Sequence, residues 1–346
     1  MNNIKTSELI ANASWFPHRL DMARRIVTFG RFERSTLSDV SFLDYRIEGA
    51  AQAWAEASFD ELLAAAPPDN MAKPAFLFHT SYCCSTLLSR ALDRPGRVLS
   101  LKEPEIIMGL SNAYRMAQNQ SERDYVDNLR DVLLALIARP HSDGERVLVK
   151  PTNAANNLVP ILAGLKIPII LLYGDLRGFL ASVIKKGDPC KTIIRQIYRV
   201  YAMDKMGVSA IAQRDALALT DLQIAALVWR HQIELFNTVL HDPARASARS
   251  LDFRALLSNP AETLLASSNH MTLGFDADEC NAIAGSDLFR KDAKDNTLTY
   301  DADRRADEER ALMAQHGDAL DLIENWAFAL SLWKTTTKRL PEPVVG

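Results

Sequence analysis

The chain has few cysteines, and their arrangement excludes two common uses of this residue. Its 346 residues contain four, which are Cys83, Cys84, Cys190 and Cys280. Four cysteines in a chain of this length do not make a disulfide framework. Neither their spacing nor that of the seven scattered histidines fits a zinc site. We therefore expect reduced thiols and no metal.

The chain also lacks a large excess of one charge and any long apolar run. Its formal net charge is -3, whereas proteins that bind nucleic acid or anionic membranes in bulk usually carry a strong basic excess. No apolar stretch approaches the roughly 20 residues needed to span a bilayer. Residues 1–13 do not have a basic start followed by an apolar run. We expect a cytoplasmic protein without nucleic-acid or membrane partners.

What the chain does have is enough apolar sequence for a full core, since 48% of its residues are hydrophobic. The prolines Pro67-Pro68 end a first section, so we predict an N-terminal extension (1–70) followed by one domain (71–346). Periodicity in the extension predicts two short strands and a helix, at 26–32, 40–47 and 50–66.

From residue 76 onwards, apolar strands alternate with helices. The predicted strands are 76–79, 98–101, 146–150 and 167–173, and the helices between them are 85–93, 121–138 and 157–165. Strands that are apolar almost without a break indicate an α/β fold of three layers, in which helices cover both faces of a central, mostly parallel sheet. The part after residue 190 is predicted to be largely helical, with a clear helix at 219–240 and one short strand at 248–251.

Polar residues follow the end of each predicted strand. The four groups, in chain order, are Ser85-Thr86, Lys102-Glu103-Pro104, Lys150-Pro151-Thr152-Asn153, and Asp175-Leu176-Arg177 with Ser182 and Lys186 beyond it. Ligands of parallel sheets bind outside the carboxyl ends of the strands. The sequence therefore predicts a binding site along this one edge.

The turn before the first helix is the strongest candidate in that site. The amide groups at a helix N-terminus are unpaired and the helix dipole is positive there, so a turn of this kind can hold phosphate or sulfate. Ser85 and Thr86 are also common helix-capping residues, which is the alternative interpretation.

The order and spacing of these segments resemble the sulfotransferase family over about residues 74–300, and in particular its bacterial and tyrosylprotein branches. The first family motif, Gly-x-Pro-Arg-Ser-Gly-Ser/Thr-Thr-Leu-Leu, aligns with residues 79–88, where only the second half is kept. Lys150-Pro151-Thr152-Asn153 loosely matches a Lys-Thr-Pro element of the family. The segment 251–262, with Leu273-Gly274-Phe275, resembles the family's Tyr-Glu-Asp-Leu…Pro…Leu-Gly region.

The resemblance implies a fold like that of P-loop kinases and NTPases, 3′-phosphoadenosine 5′-phosphosulfate (PAPS) as sulfuryl donor, and no metal. It implies that Glu103 is the catalytic base. Residues 82–86 (Tyr82, Cys83, Cys84, Ser85 and Thr86) would bind the 5′-phosphosulfate. Arg177, Ser182 and Lys186 match the 3′-phosphate motif. The acceptor would be a small molecule, a carbohydrate or a peptide that carries a hydroxyl or amine.

Three residues depart from the family pattern. Tyr82 replaces the loop cation and carries no positive charge at neutral pH. We expect Lys150 to take over that role. Cys84 replaces a glycine whose positive φ costs another residue about 1–3 kcal/mol, so we expect a strained or rearranged loop. Gly174 replaces the first arginine of the 3′-phosphate motif.

Ordinary structural interpretations remain for the same residues. Glu103 also fits a solvated carboxylate, Lys150 a surface lysine, and Arg177 and Lys186 a solvated helix face. The Cys83-Cys84 pair fits core packing, or else a reactive thiol at a helix N-terminus.

Two alternative functions stay open. One is a non-catalytic descendant that binds a nucleotide or a partner. The other is a P-loop kinase, although the loop has neither the glycine nor the Lys-Ser/Thr pair of the nucleoside-triphosphate motif.

Overall fold

Eight strands form two separate sheets in the part of the chain that the computed structural model describes, which is residues 4–65, 73–290, 302–333 and 338–345. Three of them make an antiparallel N-terminal sheet, β1 (Trp15–Asp21), β2 (Ile26–Arg31) and β3 (Ala53–Ser58). The other five make the central sheet, β4 (Ala75–His79), β5 (Val98–Lys102), β6 (Arg146–Lys150), β7 (Ile169–Tyr173) and β8 (Ala248–Asp252).

The central sheet has the order β5-β6-β4-β7-β8, and every neighbouring pair in it is parallel. Its strands are buried on both faces. Phe76 and Phe78 of β4 point into one core, whereas Leu77 points into another. The predicted α/β class with three layers is therefore confirmed, and so is the strand at 248–251, which becomes β8.

Helices cover both faces of the central sheet. Their bounds are α1 (Thr6–Ala11), α2 (Arg34–Asp39), α3 (Phe59–Ala64), α4 (Ser85–Ala91), α5 (Glu105–Met116), α6 (Gln120–Ile137), α7 (Val159–Gly164), α8 (Leu176–Tyr201), α9 (Gln213–Leu217), α10 (Asp221–Leu240), α11 (Phe253–Ser258), α12 (Pro260–Met271), α13 (Ala277–Ala284) and α14 (Ala302–Ala329). Short 3-10 helices lie at Tyr45–Ala50, Asn153–Leu158, Gly207–Ala210, Pro243–Arg245 and Asp287–Phe289. The largely helical C-terminal part is confirmed.

The N-terminal predictions were partly wrong. Residues 40–47 form no strand, because Leu43 and Ile47 are buried by a loop and a 3-10 helix instead of by strand pairing. The predicted helix 50–66 is β3 followed by α3, since pairing with β2 overrides the helical preference of the alanines. Both β1 and α5 were missed. The predicted boundary at residue 70 lies outside the described residues, so the division into 1–70 and 71–346 stays a prediction.

Arg139, just after α6, fixes the first residues to the rest of the fold. Its guanidinium donates to the backbone carbonyls of Leu9, Ile10, Asn12 and Trp15. Burial lowers the pKa of Arg139 to about 10. These contacts tie residues 9–15 to the end of α6 through one buried charged donor.

Residues near the end of the chain lie at one edge of the central sheet. The backbone of residues 342–344 runs along β8, where Ser250 N donates to Glu342 O and Val344 N to Ser250 O (2.9 and 2.8 Å).

Helix α8 is kinked near its middle. Gly187 has a non-helical φ of 66° there, and Pro189 lacks an amide hydrogen.

Candidate functional site

The loop between β4 and α4 has an unusual backbone for a segment without glycine. Ser81, Tyr82 and Cys84 have φ angles of 70°, 54° and 59°. The expected positive φ of Cys84 is thus confirmed. Left-handed conformations of such residues cost about 1–3 kcal/mol each and cluster at binding and catalytic sites.

One neighbouring side chain and two from distant elements form hydrogen bonds to the backbone at the start of this loop. Ser81 N donates to His79 Nδ1 at 3.0 Å. Asn156 Nδ2 donates to His79 O at 3.2 Å, and Gln232 Nε2 to Thr80 O at 3.4 Å. We did not predict these two amide side chains. A signal was present, since Gln232 belongs to a polar group, Arg230-His231-Gln232, within a helix that is otherwise rich in apolar residues.

The first turn of α4 is buried. Ser85 and Thr86 are 7% and 6% exposed. The residue that precedes the helix in the cap position is Cys84, and its side chain makes no capping hydrogen bond. The interpretation of Ser85 or Thr86 as the helix cap is therefore wrong, although both do lie at the start of the helix.

Tyr82 is anchored to α8. Its hydroxyl is 2.7 Å from Cys190 Sγ, and its ring centroid is 5.3 Å from that of Phe179. Burial, with the Cys190 contact adding to it, raises the pKa of Tyr82 well above its ordinary value, so the hydroxyl stays neutral. The ammonium of Lys186 lies 5.9 Å from the centre of the Tyr82 ring, which brings a cation of α8 to the loop.

Cys83 is a packed thiol. It is fully buried, and its sulfur lies 3.5 Å from Leu172 O. Burial, and then the neighbouring Cys84, raises the pKa of Cys83 to about 12, whereas the nearby Lys150 charge acts in the opposite direction. Reactive thiols need a lowered pKa. The packing interpretation of this residue therefore fits and the reactive one does not.

Glu103 and Lys150 form an ion pair at the ends of the neighbouring strands β5 and β6. Lys150 Nζ is 2.7 Å from Glu103 Oε1, and Glu103 N donates to Lys150 O at 2.6 Å. The Lys150 side chain is fully buried and that of Glu103 is 20% exposed. Glu103 also has a positive φ of 53°. The surface-lysine interpretation of Lys150 is therefore wrong.

The start of α8 faces another helix. Arg177 pairs with Asp321 of α14, and Glu324 lies 3.9 Å away. Ser182 Oγ donates within α8 to Gly178 O at 2.9 Å. The structure thus brings Lys186 to the loop, Glu103 to Lys150, and Arg177 to acidic groups of α14.

The surroundings of Gly174 are tight. A Cβ atom there would lie 3.1 Å from the Phe253 ring and 3.8 Å from Cys83 Cβ. A larger residue at this position would therefore require the Phe253 ring to shift by a few tenths of an ångström.

One cavity lies away from this site. Its volume is about 210 Å³, and Ala75, Arg146 and Pro168, which line it, are at the amino ends of their strands. Because parallel sheets bind ligands at the carboxyl ends, the strand-end residues above remain the better candidate site.

Searches for two other kinds of site gave nothing in the described ranges. No group of three or more His, Cys, Asp or Glu side chains there is placed to hold a metal ion. None of the helices described is both long and apolar enough to cross a membrane.

Comparisons with known proteins give a distant structural similarity. A scan of protein-family models and a search of curated proteins found no match. Among solved structures, the chain is similar to the "Sulfotransferase Domain from the Curacin Biosynthetic Pathway", with 12% sequence identity and a TM-score of 0.37 over 72% of this chain and 99% of that one. A similarity at this level says nothing about activity.

Proposed function

We propose that the protein transfers the sulfuryl group of PAPS to a hydroxyl or amine acceptor. The observation that carries the proposal is the Glu103–Lys150 pair, which puts a carboxylate and a buried ammonium at neighbouring strand ends. The charge of Lys150 also acts on Cys83 in the adjacent loop. A base and a cation beside an anion-binding loop are what sulfuryl transfer requires.

The reaction divides among these groups in a simple way. Glu103 takes the proton from the acceptor, whose oxygen or nitrogen forms a bond to sulfur. The bond between sulfur and the bridging oxygen breaks, and 3′-phosphoadenosine 5′-phosphate leaves with the electron pair. Lys150 and Lys186 offset the charge that develops on the donor.

The donor fits the residues at the loop better than those at the start of α8. Lys186, which the resemblance matches to the 3′-phosphate motif, lies beside Tyr82 and would there add to Lys150, the residue expected to replace the loop cation. Arg177 and Ser182 would bind the 3′-phosphate, but Asp321 must first release the Arg177 guanidinium.

A non-catalytic binding protein is the second candidate. It is favoured by Tyr82, which stands where the family has its loop cation and whose hydroxyl is held by Cys190. A P-loop kinase remains the weakest alternative, and magnesium-dependent ATP binding would support it.

Calorimetry with 3′-phosphoadenosine 5′-phosphate tests the donor assignment. We expect binding, and we expect Lys186→Met to weaken it about tenfold, the effect of losing one charge-assisted contact. Lys185→Met is the matched control, because the neighbouring Lys185 pairs with Glu308 on α14 instead of facing Tyr82. No binding at millimolar ligand overturns the proposal.

Transfer from radiolabelled PAPS to a panel of alcohols and amines tests catalysis. Glu103→Gln should abolish transfer and keep product binding, since the amide accepts no proton. Binding by the unaltered protein without transfer to any acceptor would favour the non-catalytic candidate instead.

A further inference from the structure

A short N-terminal segment, residues 42–46, is fastened beside Glu103. Leu43 N donates to Lys102 O at 2.8 Å, and Glu105 N donates to Leu43 O at 3.0 Å. These two bonds hold Leu43 to the residues on both sides of the Glu103-Pro104 step. The N-terminal part of the chain therefore supplies a wall of the site next to the proposed base.

The side chains of this segment form a small aromatic platform. The Arg46 guanidinium lies 3.5 Å above the Phe42 ring and 5.8 Å from the Tyr45 ring. Asp44 accepts two hydrogen bonds from the Arg46 guanidinium, of 2.8 and 2.5 Å, and so fixes its orientation. The Tyr45 side chain remains 70% exposed, although it is large and aromatic.

The platform is close enough to Glu103 for their charges to interact. The hydrogen bond that Arg46 donates to Asp44 is the main cause of the raised pKa of Arg46, and the Glu103 carboxylate adds a smaller part. The residue that joins Phe42 and Tyr45 is thus within electrostatic reach of the proposed base.

The three basic groups around the platform are already paired. Arg46 is bound by Asp44, Arg19 by Glu48, and Lys150 by Glu103. An anionic acceptor would have to displace one of these carboxylates, whereas an uncharged acceptor would not.

We propose that residues 42–46 form the acceptor wall of the site and that Tyr45 stacks on the flat face of an uncharged hydroxyl compound, a phenol or a sugar ring. This inference rests on the proposed sulfuryl transfer. Aromatic rings pair with flat apolar faces through stacking and buried area. The acceptor hydroxyl would then point toward Glu103.

Steady-state transfer with two acceptors, 4-methylumbelliferone and methyl β-glucopyranoside, tests the inference. Tyr45→Ala should raise KM roughly three- to tenfold for the acceptor that stacks, with kcat and the affinity for 3′-phosphoadenosine 5′-phosphate unchanged. Tyr45→Phe should restore KM. A rise in KM for 4-methylumbelliferone would identify a phenol as the acceptor, and a rise for methyl β-glucopyranoside would identify a sugar.

Met116→Ala is the control, because Met116 is also a large exposed apolar side chain, 61% exposed, at the far end of α5. If the protein transfers sulfate but Tyr45→Ala leaves both KM values unchanged, the acceptor wall is wrong while the proposed function stands. If no phosphoadenosine product binds, both proposals fall.

Discussion

The cations at the strand ends and those along α8 stand in two very different settings. Lys150, at the end of β6, is fully buried and bonded to Glu103. Arg177 and Lys185, on the surface of α8, are 35% and 43% exposed and pair with acidic residues of α14. The first pair is fixed by neighbouring strands of one sheet, and the others join two helices across solvent.

The difference in burial separates an ion pair that the fold needs from ion pairs that can open. A buried charge is destabilising when its partner is removed, because nothing else compensates it. Exposed pairs are screened by water and salt and contribute little. The strand-end pair is thus part of the architecture, whereas the α8–α14 pairs can open at small cost to let a ligand reach Arg177.

Removing the Glu103 carboxylate should have the largest effect. Glu103→Ala leaves the Lys150 ammonium buried without its partner, and we expect the free energy of unfolding to fall by about 3–5 kcal/mol in urea titrations. Alanine keeps the positive φ as strained as before, so backbone relief does not mask the loss. Glu103→Gln, which retains an acceptor oxygen, should lose less. A loss below about 1 kcal/mol for Glu103→Ala would erase the contrast between the two settings.

Alkaline pH should have the next largest effect, through Cys83. Burial raises the pKa of this thiol from 9.0 to about 12 in the folded protein, so the folded state binds the proton more tightly. The stability it contributes is complete below pH 9 and is lost as the pH rises toward 12. Between pH 7 and 10 we expect a loss of about 1.4 kcal/mol.

Urea titrations of Cys83→Ala at both pH values isolate that contribution, because this substitution removes the buried thiol itself. The variant should lose less stability than the unaltered protein. Cys84→Ala serves as the comparison, since Cys84 is only partly buried. Equal losses in all three proteins would show that Cys83 is not buried as described.

Opening the pair between α8 and α14 should have the smallest effect on stability. Asp321→Asn removes the main partner of Arg177, and we expect a change of at most about 1 kcal/mol that shrinks further in high salt. The same variant should bind 3′-phosphoadenosine 5′-phosphate more tightly by calorimetry. A loss of stability as large as that of Glu103→Ala would show that the exposed pair contributes as much as the buried one.

The strands of the central sheet could be predicted because each is recognisable from its own residues. Segments such as 76–79 and 146–150 are apolar on both faces, which few other structures require. The polar residues after them could then be placed at one edge. That reasoning located Glu103 and Lys150 but did not reveal that they bond to each other.

The remaining features depend on contacts between distant parts of the chain. Arg177 and Asp321 are 144 residues apart, and Gln232 reaches Thr80 across 152 residues. No periodicity encodes such pairs. The alternation at 40–47 misled for a related reason, because Leu43 and Ile47 are buried by loop packing that mimics the pattern of a strand.

The C-terminal residues that run along β8 have a consequence for self-association. An open strand edge offers unpaired amide and carbonyl groups that can pair with another molecule. Here Glu342 and Val344 occupy those groups at Ser250. We expect that removing residues 342–344 would expose this part of the β8 edge and favour aggregation.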